Sequence, residues 1–568
     1  MGLSSGQSPV SYERMEKTPD EEQNQVEMRA ADPELVSIPP TPHGGTPLAT
    51  SAQHSPLNFS SPGNYSPRPA TGHTPIGTMS PSNLVSPGVQ RSPLTPRTPL
   101  RLNLSPIGTP VRKAFINMKQ YLEDIGHLTK LNPQDAWLPI TESQSGNAYY
   151  SAFHNLNAGI GFQALLLPVA FTFLGWTWGV LALVIAFLWQ LHTLHLLVYL
   201  HEAVPGKRYN RYIELSIAAF GERRGVWLAL FPVIELSAGT ATGLIIIGGS
   251  TLKLFYETAC GLRCQNGPLT VIEWYLVFAI LCCLVAPLPN LNSVAYVSFV
   301  GAIMSVGYCT MVWTLSLSKD RPQGISYAIE KPGSSTATAF SILNALGIIA
   351  FAFRGHNLAL EIQSTMPSTL KHPAHVPMWR GSKVAYIVVA FCFFPLAIGG
   401  YWAYGNKMLP SGILYSLATY HHDISPGLLG VTFLFVILSL LSSFQIYSLP
   451  TFDAIEQAYT SKTNKPCPKP LRFAVRIIFV FLSFFVAIAL PFISSFAGLI
   501  GGLTSIPVTF TYPCFMWLSI QRPAKYSFNW YINWTLGILG AFFAFAITAG
   551  GIWSIIDTGL KFNFFKPQ

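Results

Sequence analysis

The sequence predicts an all-α polytopic membrane protein with eleven transmembrane helices behind a disordered N-terminal tail. Half of the 568 residues are hydrophobic and only 11% are charged, whereas a soluble protein carries roughly a quarter charged residues. The mean hydropathy is +0.37, and apolar stretches long enough to cross a bilayer recur from about residue 149 onward. The composition therefore excludes an ordinary soluble enzyme and makes the lipid bilayer the first partner.

The tail, residues 1–112, is rich in serine, threonine and proline and has few aromatic residues. Such a composition cannot bury enough apolar surface to offset chain entropy, so we expect disorder. The tail is either a solvated segment or a cytosolic regulatory segment modified by proline-directed kinases. Eight Ser-Pro and seven Thr-Pro pairs favour the second interpretation, and we take as phosphorylation candidates Ser92, Thr98, Ser105 and Thr109.

A polar pre-membrane segment, 113–148, precedes the predicted eleven-helix domain at 149–557, and a short end, 558–568, follows it. Apolar stretches predict eleven spans near 150–173, 177–200, 226–256, 271–289, 291–318, 336–361, 382–404, 427–450, 472–490, 493–518 and 531–556. The eighth is expected to continue as a helix through Asp453 and Glu456.

The distribution of basic residues predicts the orientation of these spans. With the N-terminus in the cytosol, the inner loops hold fifteen Lys and Arg residues, and the outer loops with the C-terminal end hold eight. Because cytosolic loops are enriched in Lys and Arg, we expect a cytosolic N-terminus and an extracellular C-terminus. The net charge of +10 is explained by topology, and no basic stripe indicates nucleic-acid binding.

The cysteines show no metal-binding pattern. The eight cysteines lack zinc spacing, and we expect neither a metal nor a cofactor. Cys260 and Cys264 share a short outer loop, where a disulfide and two separate thiols are both compatible with the sequence. No phosphate-binding loop follows a strand, and no polar cluster suggests a membrane enzyme, so neither ATP-driven transport nor catalysis is expected.

Two hydrophobic spans are interrupted by glycine and polar residues. The first interruption lies in NLNAGIGFQALLLP at 155–168, and the second lies in FAFRGHN at 351–357. An unwound segment survives in a bilayer only where it is buried or lines a cavity. Paired interruptions in corresponding spans indicate the binding site of a secondary transporter, although glycines that only pack helices together are the alternative.

Broken helices offer separate ends to a zwitterion such as an amino acid. We expect its carboxylate to bind N–H donors near Gly161 and Phe162, because a helix start carries partial positive charge. Its ammonium group would bind carbonyls near Asn157, Ala158 and the 352–353 end of the other helix. Glycine lets the backbone approach the ligand closely. The predicted substrate-binding residues are Asn157, Ala158, Gly159, Gly161, Phe162, Gln163, Phe353, Arg354 and Gly355.

Longer motifs resemble plant lysine/histidine-type amino-acid transporters of the amino acid/auxin permease group. The matching stretches are YSAFHN at 150–155, FRGHNLALEIQ at 353–363, PMWRG at 377–381 and GYWAYGN at 400–406. The resemblance covers roughly residue 137 to the end. It implies eleven helices with a LeuT-like inverted repeat of five plus five, and proton-coupled amino-acid uptake at the plasma membrane.

Two positions depart from that family pattern. The family commonly has Gly-Ala-Gly where this chain has Gly161-Phe162-Gln163, and a small residue where this chain has Arg354. A charged residue within a membrane is a functional hypothesis by default. Arg354 could bind an anionic substrate group, pair with Glu235 or Glu361, or reach into a vestibule.

Proton coupling requires a group that changes charge during transport. His356 is one candidate, because an unperturbed histidine titrates near pH 6.5, although it could equally prop the broken helix through a hydrogen bond. Glu235 within the third span is the other candidate. Glu361, by contrast, is expected to anchor a basic residue of a neighbouring loop.

The sequence as a whole therefore predicts a secondary active transporter that imports amino acids with protons across the plasma membrane. Two alternatives remain open. One is a carrier of auxin-like organic anions, to which Arg354 would be suited. The other is an amino-acid sensor that signals through its phosphorylated tail.

Overall fold

The computed structural model describes residues 135, 137–142, 145–261, 269–288, 291–331, 333–369, 371–489 and 493–557. The predicted tail at 1–112, its four phosphorylation candidates, the end at 558–568 and Cys264 lie outside the described residues. Within the described ranges every regular element is helical, which confirms the all-α class for that part of the chain.

The helices are labelled here in chain order. They are α1 (Ala148–Gly159), α2 (Leu167–Leu200), α3 (Tyr212–Phe220), α4 (Glu222–Cys260), α5 (Val271–Val285), α6 (Leu291–Ser318), α7 (Ser335–Ala352), α8 (His356–Ser364), α9 (His375–Tyr404), α10 (Ile413–Tyr420), α11 (Pro426–Thr463), α12 (Lys469–Ala489), α13 (Ile493–Ile500), α14 (Tyr512–Gln521) and α15 (Phe528–Asp557). Short 3₁₀ helices cover Phe162–Leu166 and Gly405–Lys407.

Nine helical stretches of the described residues are long and apolar enough to cross a membrane, against the eleven spans predicted. The difference arises at two places. The first two predicted spans join in α2, which bends at Gly175, where φ is +68° and ψ is −174°. Helix α5 is apolar but has only 15 residues. The number eleven and the inverted repeat therefore stay predictions.

Helix ends coincide with side-chain caps next to the apolar stretches. The Asn147 side chain accepts hydrogen bonds from the first N–H groups of α1, and Ser334 caps α7 in the same way. At α5, Thr270 and Glu273 form a reciprocal capping box. Such caps satisfy N–H groups that have no partner within the helix. At the other end of the chain, α11 continues through Asp453 to Thr463, as predicted.

The tenth predicted span is not a regular helix. Wider π-helical turns occupy Gly501–Ser505 and Pro507–Thr511 between α13 and α14. Pro507 has no N–H to continue the α-helical ladder. Gly501 packs against the backbone of Gly347 on α7 so closely that no side chain fits between them. Small residues that let helices approach are typical of membrane bundles.

The first interruption lies in the middle of the bundle. Gly381 of α9 packs directly on the start of α1, and Gly301 of α6 packs on Ser442 and Asn157. Ile160 and Phe162, which follow α1, are fully buried. The helices α6, α9 and α11 thus surround the unwound segment and can supply hydrogen-bond partners to it.

Candidate functional site

The first break separates α1 from α2. Helix α1 ends at Gly159, and Ile160 and Gly161 are extended, with φ/ψ of −105°/102° and −135°/−164°. A 3₁₀ turn then leads into α2. No side chain caps the N–H groups at the start of this turn. The position confirms the interruption that the sequence predicts.

Side chains of α6, of α11 and of the turn after the break satisfy the carbonyl groups of this break. Five consecutive carbonyls each accept a hydrogen bond from a hydroxyl or amide group: Asn157 from Ser443 (3.2 Å), Ala158 from Tyr447, Gly159 from Gln163 (3.0 Å), Ile160 from Ser305 (3.2 Å) and Gly161 from Tyr308 (2.8 Å). In a bilayer an unpaired backbone carbonyl costs several kcal/mol. These contacts explain why the unwound segment is stable.

The polar side chains predicted near the substrate are also engaged. Asn157 donates its amide N–H to Ser442 Oγ at 2.8 Å and accepts from Ser443, so its side chain ties α1 to α11. Gln163 bridges the break to Gly159, and its Oε1 is buried without a hydrogen-bond partner among the described residues. A ligand ammonium group would therefore meet the carbonyls of Ala158 and Gly159, which each accept one side-chain hydrogen bond and keep a second lone pair.

The second break separates α7 from α8. Helix α7 ends at Ala352, Gly355 has φ of +127°, and α8 begins at His356. Side chains rarely tolerate that φ, so the position requires glycine. Again no side chain caps the new helix start. Phe353 packs its ring against Phe187 and Phe393 and is not part of the aromatic group around Arg354.

Arg354 brings the two breaks together. Its Nη2 lies 3.4 Å from the position that a Cβ on Gly161 would occupy. The guanidinium carbon lies over three ring faces, at 4.4 Å from the centroid of Phe351, 4.5 Å from Tyr447 and 5.1 Å from Phe162. The side chain is fully buried, so it does not extend into a vestibule.

The guanidinium has no counter-charge in the described part of the chain. The Tyr447 hydroxyl donates its hydrogen to Ala158 O and is close enough to the guanidinium to interact with it as a neutral polar group, but no nitrogen of Arg354 makes a well-oriented hydrogen bond to an acceptor there. No ion pair joins Arg354 to Glu235 or Glu361, the two acids that the sequence offered as partners. Ring faces attract the cation but do not accept its N–H groups in the way a carboxylate does.

His356 stabilises the second break through contacts with α2. Its Nε2 lies 3.0 Å from Gln190 O and 3.1 Å from Thr193 Oγ1, both on α2. Because a carbonyl only accepts, Nε2 carries the hydrogen, and Nδ1 is buried without a partner in the described residues. The ring is therefore held in one neutral tautomer.

Glu235 lies on α4, on the same face as Gly239 and Gly243. Gly243 contacts the Phe162 ring, and eight residues of helix put Glu235 about 12 Å further toward the start of α4. Its carboxyl group interacts with Thr504 in the π-helical stretch. Its Oε2 is buried and has no hydrogen-bond partner among the described residues.

A charged cluster at the predicted cytosolic ends was not foreseen. Arg211, buried in the loop before α3, contacts Asp453, Glu214 at 2.7 Å and Asp135 at 3.2 Å. Burial alone would lower the pKa of the Arg211 guanidinium, but the carboxylates of Asp453 and Glu214 raise it well above its usual value. The signal in the sequence was an acid in α11 beyond the apolar stretch, facing basic inner loops.

This cluster borders a cavity of about 250 Å³ that also contacts Glu361. Glu361 is buried, and its Oε2 has no hydrogen-bond partner in the described residues. No ion pair involves it there, but the guanidinium of the loop residue Arg211 is close enough to interact with it electrostatically, so the expectation that Glu361 anchors a basic loop residue stays a prediction. The pre-membrane segment closes this end: Ile140 N–H donates to Asp453, and Arg472 donates to Trp137 O.

The remaining predictions concern cysteines and metals. Cys260 is disulfide-bonded, but its predicted partner Cys264 is outside the described residues, so the pairing stays a prediction. The free cysteines of the described part are Cys282, Cys283, Cys309, Cys392, Cys467 and Cys514. In the same part of the chain, no group of three or more His, Cys, Asp or Glu residues is placed to hold a metal ion.

Sequence comparisons identify relatives of the whole helical domain. The family described as "Transmembrane amino acid transporter protein" matches residues 144–557. "Lysine histidine transporter-like 8" of Arabidopsis thaliana is 60% identical over 535 residues, which cover 94% of this chain and 98% of that protein. "Lysine histidine transporter-like 7" of the same plant is 40% identical, covering 77% and 90%.

Among solved structures, the crystal structure of MhsT in complex with L-phenylalanine aligns with a TM-score of 0.48 and 12% identity, covering 72% of this chain and 99% of that one. The sequence relatives are the stronger finding, because the family match spans both breaks and every predicted substrate-binding residue. The chain therefore belongs to the transmembrane amino acid transporter family, among its lysine/histidine transporter-like members.

Proposed function

We propose that this protein is a secondary active transporter that imports amino acids together with protons across the plasma membrane. One observation carries the proposal. Two helices are broken at adjacent points in the bundle, and both second halves begin at an uncapped glycine beside a buried, unpaired guanidinium. Broken helices that meet in a bundle interior are the arrangement by which secondary transporters bind small solutes.

The substrate is held by the two breaks. The N–H groups at Gly161–Phe162 and at Gly355–His356 have no side-chain cap, so they can bind the α-carboxylate. The carbonyls of Ala158 and Gly159 keep a second lone pair for the ammonium group. Because all of these residues are buried, the substrate enters and leaves only when the surrounding helices move apart.

Glu235 is the proton carrier in this proposal. Its Oε2 is buried without a hydrogen-bond partner, and no described basic residue forms an ion pair with it. A buried carboxylate without a counter-charge is costly in free energy, so the protonated, neutral form of Glu235 is favoured over the ionised form in this closed structure. His356 is less suitable, because its Nε2–H already binds Gln190 O and a second proton on Nδ1 would lack an acceptor.

The orientation and the tail follow from the sequence. The excess of basic residues on the inner loops supports a cytosolic N-terminus and an extracellular C-terminus. The tail would then be accessible to proline-directed kinases. The matching family is described as an amino acid transporter family, and the named relatives are described as lysine/histidine transporter-like, which favours an amino acid over an auxin-like anion as the substrate.

Uptake by the full-length chain in proteoliposomes tests the proposal. We expect radiolabelled amino acids to accumulate when the outside is acidic and the inside is neutral, and we expect a protonophore to abolish this accumulation. The panel includes acidic, neutral, basic and aromatic amino acids. Binding without flux for every member would instead support a sensor, and no binding at all would refute the proposal.

The proton role is tested by Glu235→Gln. We expect this variant to exchange labelled for unlabelled amino acid but to lose accumulation driven by the pH gradient. Glu257→Gln on the same helix is the matched control, because Glu257 is partly exposed. A Glu235→Gln variant with normal gradient-driven accumulation would rule out this role. In His356→Gln we expect the pH dependence of uptake to be unchanged. If the variant loses this pH dependence, the proton role would belong to His356.

The tail is tested in the full-length chain by replacing Ser92, Thr98, Ser105 and Thr109 with alanine. Uptake that persists but no longer responds to a proline-directed kinase would identify a carrier with a regulatory tail. Unchanged kinase sensitivity would exclude these four sites.

A further inference from the structure

We infer that Arg354 makes this transporter selective for acidic amino acids, whose side-chain carboxylate it binds. The inference rests on the proposed function, because it assumes that the substrate lies between the two breaks. It adds a substrate class and a residue that determines specificity.

The positive charge of Arg354 has no carboxylate beside it in the described residues. The side chain has no exposed surface, its Nε, Nη1 and Nη2 make no well-oriented hydrogen bond there, and the polar group that interacts with it, the Tyr447 hydroxyl, is uncharged. A buried charge is normally paired or coordinated. In the other buried arginines of the described part, Arg211 and Arg476, the guanidinium group contacts a carboxylate. Arg354 instead contacts three aromatic ring faces.

Arg354 lies where the two breaks meet. Arg354 is itself part of the second break, directly before Gly355, and its Nη2 reaches to Gly161 in the first. A ligand held by the two helix starts would therefore lie next to the guanidinium. An arginine that only anchored the fold would be expected to contact a carbonyl or a carboxylate of the protein.

The net charge of the substrate decides whether the closed site is neutral. Zwitterionic amino acids carry no net charge, so their binding would leave the guanidinium uncompensated. Aspartate and glutamate carry one net negative charge and would neutralise it. Guanidinium and carboxylate also match geometrically, since two N–H groups can bind the two oxygens in parallel.

An acidic amino acid offers two carboxylates, and the site has a separate group of donors for each. Both helix starts present N–H donors without side-chain caps, and these serve the α-carboxylate that all amino acids share. The guanidinium is an additional donor group and is free for a second carboxylate. A site built to bind such a group discriminates strongly against analogues that lack it, because its donors are then left unpaired.

Isosteric substrate pairs test the inference. Glutamate and glutamine, like aspartate and asparagine, differ in charge but hardly in shape. In proteoliposomes with the full-length chain we expect the KM for glutamate to lie at least about tenfold below that for glutamine. Charge-assisted hydrogen bonds of this kind correspond to roughly 10- to 100-fold in affinity. Glutamate should also raise the melting temperature of the purified protein more than glutamine does.

Variants assign the selectivity to Arg354. Arg354→Gln should raise the KM for glutamate by roughly 10- to 100-fold and leave that for glutamine within about threefold. Arg354→Lys keeps the charge and should retain part of the preference. Arg223→Gln, at an exposed arginine on α4, is the matched control and should behave as the wild type.

Specific results would overturn the inference. If the wild-type protein takes up glutamine as well as glutamate, the inference is refuted without any variant. An equal loss of uptake of both substrates in Arg354→Gln would also refute it, since that result would indicate a general role of the arginine. Both results leave amino-acid transport intact, whereas failure of every amino acid to be bound or transported would refute the proposed function itself.

Discussion

Removal of single hydroxyl groups from the first break gives a graded test of how that break is stabilised. Tyr447 donates to Ala158 O, and Tyr308 donates to Gly161 O at 2.8 Å. Gly161 O also accepts from Ala164 N–H at 3.0 Å. Tyr308→Phe therefore leaves its carbonyl with a partner, but Tyr447→Phe removes the hydroxyl on which Ala158 O depends.

The expected costs differ for this reason. Interhelical hydrogen bonds in membrane proteins are worth about 0.6 kcal/mol on average, which we expect for Tyr308→Phe. A buried acceptor left without its partner costs about 1–3 kcal/mol, which we expect for Tyr447→Phe. The latter corresponds to roughly 5- to 150-fold in an equilibrium constant. The Tyr447 ring face, 4.5 Å from the Arg354 guanidinium carbon, is kept in Tyr447→Phe, so packing is largely preserved.

The free energy of unfolding in detergent micelles, measured by denaturant titration, gives these differences. Tyr296→Phe, at a tyrosine on α6 that is 75% exposed, is the control and should be neutral. Equal effects of Tyr308→Phe and Tyr447→Phe, or a larger effect of Tyr308→Phe, would refute the reasoning. The accompanying KM for amino acids should rise more in Tyr447→Phe, because the break is part of the proposed site.

Three further predictions concern backbone strain, pH and the charged cluster. Gly355→Ala forces an L-residue to a φ of +127°, which costs about 1–3 kcal/mol, and this variant should lower uptake. Gly221→Ala, at a φ of +83° with open space around it, should lower stability but leave the KM unchanged. Equal KM values in the two variants would contradict this prediction. Burial lowers the pKa of His201 well below its usual value, so the ring is neutral when folded; stability is complete above about pH 6.5 and falls as the pH drops, by at most about 1.4 kcal/mol per unit. In His201→Phe the melting temperature should change less between pH 6.5 and 5 than it does in the wild type. An unchanged pH dependence of the melting temperature would exclude this role of His201. Removing one partner of the buried pair, by Arg211→Gln or Asp453→Asn, should lower the free energy of unfolding by about 3–5 kcal/mol. The double variant should lower it by less than the sum of the two single effects, and a full sum would show that the two side chains act independently.

Local chemistry was sufficient to locate both breaks. Gly159 and Gly161 with polar neighbours cannot continue a membrane helix, and the glycine at 355 precedes a histidine and an asparagine in an apolar span. Backbone groups must be satisfied within a bilayer, so such residues mark where a helix stops. The structure confirms that α1 and α7 end there.

The partners of the break could not be predicted. Tyr308 and Tyr447 lie 147 and 289 residues away from the carbonyls they bind. Nothing in an isolated apolar span distinguishes a tyrosine that serves a broken helix from one that packs against a neighbour. The same limit applies to Arg211, which pairs with Asp453, 242 residues further along the chain.

The sequence alone therefore determined the membrane class, the positions of the two interruptions and the presence of a charge beside one of them. Only the tertiary structure decided that this charge, on Arg354, has aromatic faces and no carboxylate around it in the described residues. Helix breaks follow from residues adjacent in the chain, whereas charge compensation depends on which distant helices pack around the side chain.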